Sequence, residues 1–545
     1  MKRLRRLTIW AGLTLGLLAG VPAWSASDPV VNAPAGSASG VLDSGIRAFK
    51  GLPYAASPAG PARWTPPKAL PKWTGVKDAK AFGPACMQAT GGGGSIYADP
   101  PASMSEDCLS LNVWTPDKAR KAPVMVWIHG GSLTSGSGAQ SMYDGTKMAQ
   151  HGIVVVTINY RLGVFGYLAH PALSAESPEG ISGNYGLLDQ IAALQWVKAN
   201  IAAFGGDPAN VTIAGESAGG LSVLYLLASP RARGLFNKAI AESSYMVSTP
   251  ELKTAKYGAP SAEAAGAAFA TRLGANDLAT LRSMDAARLM RGGLSPFGAV
   301  DGKILTRQLV DTFDKGEQAP VPVLAGSNSG EIRSLRTLAP AAPATAAVYE
   351  KAINDRYGDL SADYLKLYPA SAGLEEAVIA STRDALYSWT AQRLVRKQEA
   401  IGKPSFLYLW DHGYPAADSA GLHGFHASEL PFVFGTLDRT LAVWPTAPKT
   451  PDQVALSDRM TAYWTSFVKT GRPSAPGSSA WTAFGRDEAY LLIQDQPRLD
   501  HHPLPGMYAF NEQVMCRRRA AGTIAWNWNV GITAPPLPAK AAGCG

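Results

Sequence analysis

The stretch Asn210-Val211-Thr212-Ile213-Ala214-Gly215-Glu216-Ser217-Ala218-Gly219 decides the fold predicted for this chain. Its first half, Val211 to Ala214, is an apolar run typical of a buried strand. The second half is the one G-x-S-x-G pattern in the 545 residues, and a helix-favouring stretch begins near Gly220. A serine between a buried strand and a helix, flanked by small residues, predicts a sharp turn that exposes a nucleophile. A plain Gly-Ser turn at the end of a strand is the alternative.

Similar apolar runs recur along the chain, at Val124 to Ile128, Ile153 to Ile158, Ala239 to Ile240, Val321 to Ala325 and Phe406 to Trp410. Strands that are apolar on both sides are typical of a parallel sheet covered by helices on its two faces. Between two runs, apolar residues of Leu187 to Ala203 recur at steps of three and four, which predicts a helix. The alanine-rich segments Ser261 to Met290 and Ala346 to Arg396 predict helices that cap one end of the sheet. Residues 26–545 are therefore predicted to form a single α/β domain.

The first 25 residues are predicted to be a cleaved secretory signal, because basic residues precede an apolar stretch from Leu7 to Val21 and small residues follow it. Glycines interrupt this stretch, which argues against the alternative of a membrane anchor. The signal carries four basic and no acidic side chains, so its removal lowers the formal net charge from +8 to +4. Beyond it, the run Arg517 to Arg519 is interpreted as a solvated surface. We therefore expect a secreted or periplasmic protein with no nucleic-acid partner and no stable membrane anchor.

The chain has four cysteines, an even number in a compartment that permits disulfides: Cys86, Cys108, Cys516 and Cys544. They allow three pairings. The pairing between sequence neighbours would close two short loops, each contributing about 3 kcal/mol to stability. No C-x-x-C or histidine-flanked pair supports a metal site instead.

A serine nucleophile needs a histidine base, which a carboxylate in turn orients. In this type of site the chain order is serine, acid, histidine. Glu331 follows the predicted strand Val321 to Ala325 and is well placed, but many other carboxylates lie in the same interval. Spacing alone does not choose among the histidines that follow Ser217, namely His412, His423, His426, His501 and His502.

A second glycine-bearing turn, His129-Gly130-Gly131-Ser132-Leu133, follows the predicted strand Val124 to Ile128. Free backbone N–H groups in such a turn can bind a developing oxyanion, together with the N–H of Ala218. A plain tight turn is the alternative. Because both turns follow predicted strands in the expected order, the combination favours an acyl-transfer site.

These residues resemble the type B carboxylesterases, which include cholinesterases, bacterial para-nitrobenzyl esterases and some lipases. The stretch from Phe204-Gly205-Gly206-Asp207-Pro208 to Gly219 resembles the active-serine signature of that family. A second signature is similar to Glu106-Asp107-Cys108-Leu109-Ser110-Leu111-Asn112-Val113. Matches extend to Phe432-Val433-Phe434-Gly435 and are weakest in the predicted cap.

The resemblance implies an α/β-hydrolase fold with a large, mostly parallel sheet, and a serine carboxylesterase that hydrolyses a small or medium organic ester without a cofactor or metal. Ser217 would be the nucleophile, Glu331 the orienting acid and His426 the base, since the family's patterns match Gly326 to Glu331 and His426 to Glu429. The resemblance also implies the disulfide Cys86–Cys108. The remaining two cysteines would then form the pair Cys516–Cys544.

The family's oxyanion donors fall on Gly131, Ser132 and Ala218. Here the chain departs from the family pattern, because Ser132 replaces a glycine and Leu133 an aromatic residue. A serine still donates its N–H, so we expect catalysis to survive and substrate preference to change. The sequence does not indicate the oligomeric state.

Other functions also fit parts of the sequence. A catalytically silent binding protein could share the fold, although the three catalytic residues are present. A lipase or an amidase would use the same site. A zinc hydrolase is disfavoured, because the spacing in His423-Gly424-Phe425-His426 is not accompanied by an H-E-x-x-H pattern.

Overall fold

A computed structural model of the protein describes residues 28–89, 95–294, 297–527 and 531–544. The predicted signal of residues 1–25 and the glycines Gly91 to Gly94 lie outside the described residues. The strands within the described ranges are β1 (Val30–Ala33), β2 (Gly36–Ser39), β3 (Val41–Asp43), β4 (Ile46–Pro53), β5 (Val76–Asp78), β6 (Ala85–Cys86), β7 (Met104–Ser105), β8 (Ser110–Pro116), β9 (Ala122–Ile128), β10 (Val154–Ile158), β11 (Gly206–Glu216), β12 (Lys238–Glu242), β13 (Val323–Asn328), β14 (Ser405–Trp410), β15 (Ala489–Ile493) and β16 (Arg498–His501).

Eleven of the described strands form one mixed sheet in the order β16-β15-β14-β13-β12-β11-β9-β10-β8-β4-β3. The strands from β15 to β10 in this order are parallel, and β16, β8, β4 and β3 pair antiparallel at the two sides. Each predicted apolar run lies in one of the parallel strands. The register places Gly215 of β11 opposite Ile128 of β9, and Glu216 opposite Glu242 of β12. The turns after β9 and β11 therefore meet at one edge of the sheet.

Both faces of the parallel sheet are buried, which explains the uninterrupted apolar runs. In β9, Val124, Val126 and Ile128 pack into one apolar cluster, while Met125 and Trp127 pack into another on the opposite face. Successive side chains of a strand point to opposite faces, so one short run contributes to both clusters.

The helices within the described ranges are α1 (Thr146–Gln150), α2 (Gly163–Tyr167), α3 (Pro171–Glu176), α4 (Tyr185–Asn200), α5 (Ala218–Ala228), α6 (Ala262–Arg272), α7 (Leu278–Ser283), α8 (Ala286–Met290), α9 (Leu309–Asp314), α10 (Glu331–Ser334), α11 (Ala346–Tyr357), α12 (Ser361–Leu367), α13 (Leu374–Arg383), α14 (Trp389–Ala400), α15 (Pro415–Ser419), α16 (Leu430–Phe434), α17 (Pro451–Thr470) and α18 (Met507–Ala521). The helix predicted for Leu187 to Ala203 is α4, followed by a 3-10 turn. None of the described helices is long and apolar enough to cross a membrane.

The predicted cap segments are helical, but they do not all lie away from the sheet. Helices α6 to α8 share one apolar cluster with α2, and α11 to α13 share another with α18. Helix α14 belongs to the second predicted cap segment, but it packs on β13 and β14. Its side chains Ala391, Leu394 and Val395 join the core on one face of the sheet, so burial against the strands determines its position.

The interpretation of Arg517 to Arg519 as solvated surface is wrong. Arg517 is 3% exposed and Arg518 is 1% exposed. Arg517 donates to both carboxylate oxygens of Asp359, at 2.6 and 2.7 Å. Arg517 and Arg518 lie on α18 and are buried, and Asp359 pairs with the charge of Arg517. A run of basic residues in a sequence does not reveal such burial.

Both disulfides between sequence neighbours are present, Cys86–Cys108 and Cys516–Cys544. The second joins α18 to the carboxy-terminal tail across a sequence separation of 28 residues. Replacing both Cys516 and Cys544 with serine is expected to lower the free energy of unfolding by about 3 kcal/mol, because the unfolded chain regains loop entropy. Urea denaturation would measure this loss. An unchanged midpoint would contradict a stabilising role for the bond, and activity per folded molecule should be retained.

Candidate active site

Ser217 lies in a strained turn between β11 and α5. Its backbone has φ +57° and ψ −121°, a conformation that a residue with a side chain rarely adopts. Two hydrogen bonds hold it there: the Ser217 N–H donates to the Glu242 carbonyl at 3.0 Å, and the Leu221 N–H donates to the Ser217 carbonyl at 2.9 Å. The neighbouring strand and the helix that begins at Ala218 therefore stabilise the strained backbone conformation of Ser217.

The glycines on either side of Ser217 are required by close backbone contacts. A Cβ on Gly219 would lie 2.0 Å from the carbonyl oxygen of Ile128, and a Cβ on Gly215 would lie 2.5 Å from the carbonyl carbon of Gly219. Real Cβ atoms do not approach backbone atoms this closely. The G-x-S-x-G spacing therefore follows from the packing of the turn against the end of β9.

The turn after β9 lies directly against Ser217, since a Cβ on Gly130 would be 3.2 Å from the Ser217 Cβ. Gly131, Ser132 and Leu133 have φ values of +101°, +56° and +58°. The N–H groups of Gly131, Ser132 and Ala218 find no acceptor among the described residues. Three backbone donors without an acceptor therefore lie in the two turns that meet at Ser217, and an oxyanion site requires donors of this kind.

Ser132 adopts a left-handed φ, which favours glycine, at the position where the carboxylesterase pattern described above has a glycine. Its side chain is exposed. Ser132→Gly is expected to raise the free energy of unfolding by about 0.5 to 1 kcal/mol, because glycine adopts this φ without a Cβ clash. Urea denaturation would measure the gain. Ser135→Gly is the matched control in the same turn: Ser135 has no positive φ, so that change should destabilise the protein.

His426 and Glu331 form a buried hydrogen-bonded pair. His426 Nδ1 bonds the Oε2 of Glu331, and the second oxygen of Glu331 accepts a hydrogen bond from the Asn328 N–H at 2.8 Å. His426 is 4% exposed and Glu331 is 0% exposed. The segments that carry them are tied together, because the Gly330 N–H donates to the Gly424 carbonyl at 2.9 Å. A carboxylate thus fixes the ring orientation, which leaves Nε2 available for other contacts.

His426 Nε2 faces Glu216, the residue before Ser217, with 3.1 Å between Nε2 and Oε1. The Ser217 hydroxyl makes no hydrogen bond with the described residues. The structure therefore brings His426, Glu331 and the serine turn into one site, but it does not contain a direct Ser217–His426 bond. The nitrogen that would accept the serine proton lies 3.1 Å from a second carboxyl oxygen, Glu216 Oε1, which makes no hydrogen bond among the described residues.

The other candidate histidines lie elsewhere. His423 is partly exposed and contacts Asp418 and Asp411, with the Nδ1 atom 2.7 Å from Asp418. His412 contacts Asp495 at 3.0 Å, and the neighbouring pair His501 and His502 is exposed. Within the described residues, no group of three or more His, Cys, Asp or Glu side chains is arranged to bind a metal.

Three further buried glutamates surround the site, and sequence reasoning missed them. They are Glu216, Glu242 and Glu429, which are 3%, 0% and 0% exposed. Burial raises the pKa of Glu216 and Glu429 well above the usual value, and repulsion between the carboxylates adds to the shift. Burial also raises the pKa of Glu242 to about 8. Glu216 lies in the motif that contains Ser217, and Glu429 lies in the motif that contains His426, so the sequence could have indicated these two glutamates.

The proton held by Glu242 should make stability depend on pH. Between the ordinary value of 4.5 and about 8, folded Glu242 keeps a proton that the unfolded chain releases. Stability is therefore highest below this window and falls as pH rises through it, by up to about 1.4 kcal/mol per pH unit. Glu242→Gln retains an acceptor for the Trp464 N–H, which bonds Glu242 at 3.1 Å. Urea denaturation from pH 5 to 8 should give a flatter profile for this variant, and equal slopes would contradict the assignment.

Two tyrosines pack on the His426 ring. Tyr97 makes an edge-to-face contact at 5.9 Å between ring centroids, and Tyr387 lies at 5.2 Å. Tyr387 belongs to a π-helical turn, Asp384–Ser388, between α13 and α14. Such turns are rare and often lie at functional sites. Neither tyrosine belongs to a motif that the sequence singled out.

Comparisons with known proteins identify the family and the fold. The sequence profile of the Carboxylesterase family matches residues 27–511. Fumonisin B1 esterase of Sphingopyxis macrogoltabida is 36% identical over 505 residues, which cover 88% of this chain and 90% of that protein. Para-nitrobenzyl esterase of Bacillus subtilis (strain 168) is 36% identical over 495 residues, covering 86% and 94%. A solved structure of PNB esterase superposes with a TM-score of 0.76 at 33% identity, covering 89% of this chain and 99% of that one.

Proposed function

This chain belongs to the carboxylesterase family and is a carboxylic ester hydrolase with the α/β-hydrolase fold, and we propose that its reaction passes through an acyl-enzyme on Ser217. The buried His426–Glu331 pair beside the strained serine turn carries this proposal. In the first step the Ser217 Oγ attacks the ester carbonyl while His426 Nε2 takes the serine proton. Glu331 holds the Nδ1 proton and stabilises the positive ring.

The tetrahedral intermediate places its oxyanion among the N–H groups of Gly131, Ser132 and Ala218. Each donor in a comparable site contributes about 3 to 4 kcal/mol. The alcohol then leaves with the proton from His426, and water activated by the same histidine releases the acid. This chemistry uses only groups of the chain itself.

We also propose that residues 26–545 form a single exported domain after cleavage of the signal. The family match runs without interruption from residue 27 to residue 511. The two disulfides are compatible with a periplasmic or extracellular location. The named relatives are esterases of organic compounds, which favours a small or medium organic ester as substrate over a lipid or an amide.

Hydrolysis of p-nitrophenyl acyl esters of increasing chain length tests this function. The purified mature protein should release p-nitrophenol with a burst equal to one equivalent per site when deacylation is slower than acylation. The preferred chain length would indicate the length of the acyl pocket near Ser132 and Leu133. A folded wild-type protein that hydrolyses no member of the series would contradict the proposal and favour a silent binding protein.

A further inference from the structure

The side chain of Tyr97 reaches from the disulfide-closed segment Cys86 to Cys108 to the backbone of His426. Its hydroxyl lies 2.8 Å from the His426 carbonyl oxygen and 2.7 Å from the Ser334 hydroxyl. The Ser334 hydroxyl in turn accepts from the His426 N–H at 3.3 Å. Ser334 also lies 3.3 Å from the Glu331 carbonyl oxygen, to which it can donate. Two hydroxyl groups therefore bracket the histidine backbone and contact the segment that carries Glu331.

His426 depends on these two side chains because it lies outside regular secondary structure. Its segment runs between α15 and α16, and the next residue, Ala427, has a φ of +65°. Among the described residues, the backbone N–H and carbonyl of His426 are bonded only by Ser334 and Tyr97. Buried backbone groups need partners, and here side chains supply what a helix or sheet would otherwise supply.

The surroundings keep Tyr97 in a state suited to this contact. Its ring packs edge-to-face on Trp444 at 6.1 Å as well as on His426. Burial raises the Tyr97 pKa well above its ordinary value, so the hydroxyl remains a neutral donor. The segment is anchored at both ends by Cys86–Cys108, and Arg63 forms an ion pair with Glu106 close to the second cysteine.

We propose that Tyr97 and Ser334 are positioning residues that hold the His426 backbone so that its ring can transfer protons to and from Ser217. This inference rests on the proposed acyl-enzyme function. The two residues do not touch the reacting atoms. A displacement of a catalytic group by about 1 Å can cost up to 100-fold in rate, so loss of the bracket should reduce turnover more than substrate binding.

Tyr97→Phe removes the hydroxyl and keeps the ring contacts. It is expected to lower kcat by about 5- to 50-fold and to change KM by less than about twofold. Tyr349→Phe is the matched control, because the Tyr349 hydroxyl donates to the Tyr368 carbonyl at 2.7 Å in the separate cluster of α11 to α13. The control should lose thermal stability to a similar extent while kcat stays at the wild-type value.

Ser334→Ala and the double variant complete the test. Because the two hydroxyls act as one unit, the double variant should lose little more kcat than the worse single variant. A Tyr97→Phe protein with wild-type kcat, or with a changed KM alone, would overturn the positioning role. Labelling of Ser217 by a fluorophosphonate separates this failure from failure of the proposed function. A wild-type protein that is neither labelled nor active overturns both, whereas a labelled, active wild type with an equally active Tyr97→Phe overturns only the positioning role.

Discussion

Ser217→Ala is expected to lower kcat by about six orders of magnitude, because no other group can form the acyl-enzyme. The structure indicates that this substitution should not disturb the fold. Alanine is also a residue with a Cβ, so the strain at φ +57° stays the same, and the Ser217 hydroxyl makes no hydrogen bond with the described residues that the change would break. The variant should therefore fold and melt like the wild type.

Turnover of the preferred p-nitrophenyl ester, followed with thermal denaturation, would check this result. Ser222→Ala is the matched control one turn further along α5, where a buried hydroxyl donates to the Ala218 carbonyl at 2.9 Å. It should keep kcat within about tenfold of the wild type. Ser217→Gly adds a second readout, since it removes the strain and should melt later than Ser217→Ala. Residual activity close to that of Ser222→Ala would contradict the assignment of the nucleophile.

The central part of the fold could be predicted because its strands are buried on both faces. Runs such as Val124 to Ile128 indicate a buried strand by themselves, since every residue in them is apolar. Strand β4 (Ile46–Pro53) was not predicted, because it lies towards one side of the sheet and mixes buried residues with Arg47 and Lys50. For helix α14, the composition predicts the helix but not its location, which depends on packing against β13 and β14.

The candidate site could be predicted only where its residues lie in local motifs. Ser217 and the turn at Gly131 follow strands, and family resemblance selected His426 and Glu331 from several candidates. Contacts between distant segments leave no such pattern. Tyr97 and His426 are separated by 329 positions in the chain, and the pairing of Glu216 with Glu242 depends on the strand register. These contacts become visible only when the chain is folded.

Two carboxyl groups contact the His426 ring, and they should differ greatly in their contribution to catalysis. Glu331 bonds Nδ1, and Glu216 lies 3.1 Å from Nε2. Burial, together with repulsion from Glu331 and Glu242, raises the Glu216 pKa well above its ordinary value. This shift favours the neutral carboxyl form, which has no charge with which to stabilise an imidazolium, and the Glu216 Oε1 makes no hydrogen bond among the described residues. Glu331 is therefore the orienting acid in our proposal.

Glu331→Gln is expected to lower kcat by about 10⁴-fold, because the amide favours the tautomer in which Nε2 already carries a proton and cannot accept one from Ser217. Glu216→Gln is the matched control beside the other nitrogen; because the Glu216 Oε1 makes no hydrogen bond to the ring, this change should alter kcat by no more than about tenfold. Measurement of kcat for both variants at pH 8, with fluorophosphonate labelling to count intact sites, would compare them directly. Equal losses would mean that Glu216 shares the orienting role. A larger loss in Glu216→Gln would contradict the assignment of Glu331 as the orienting acid.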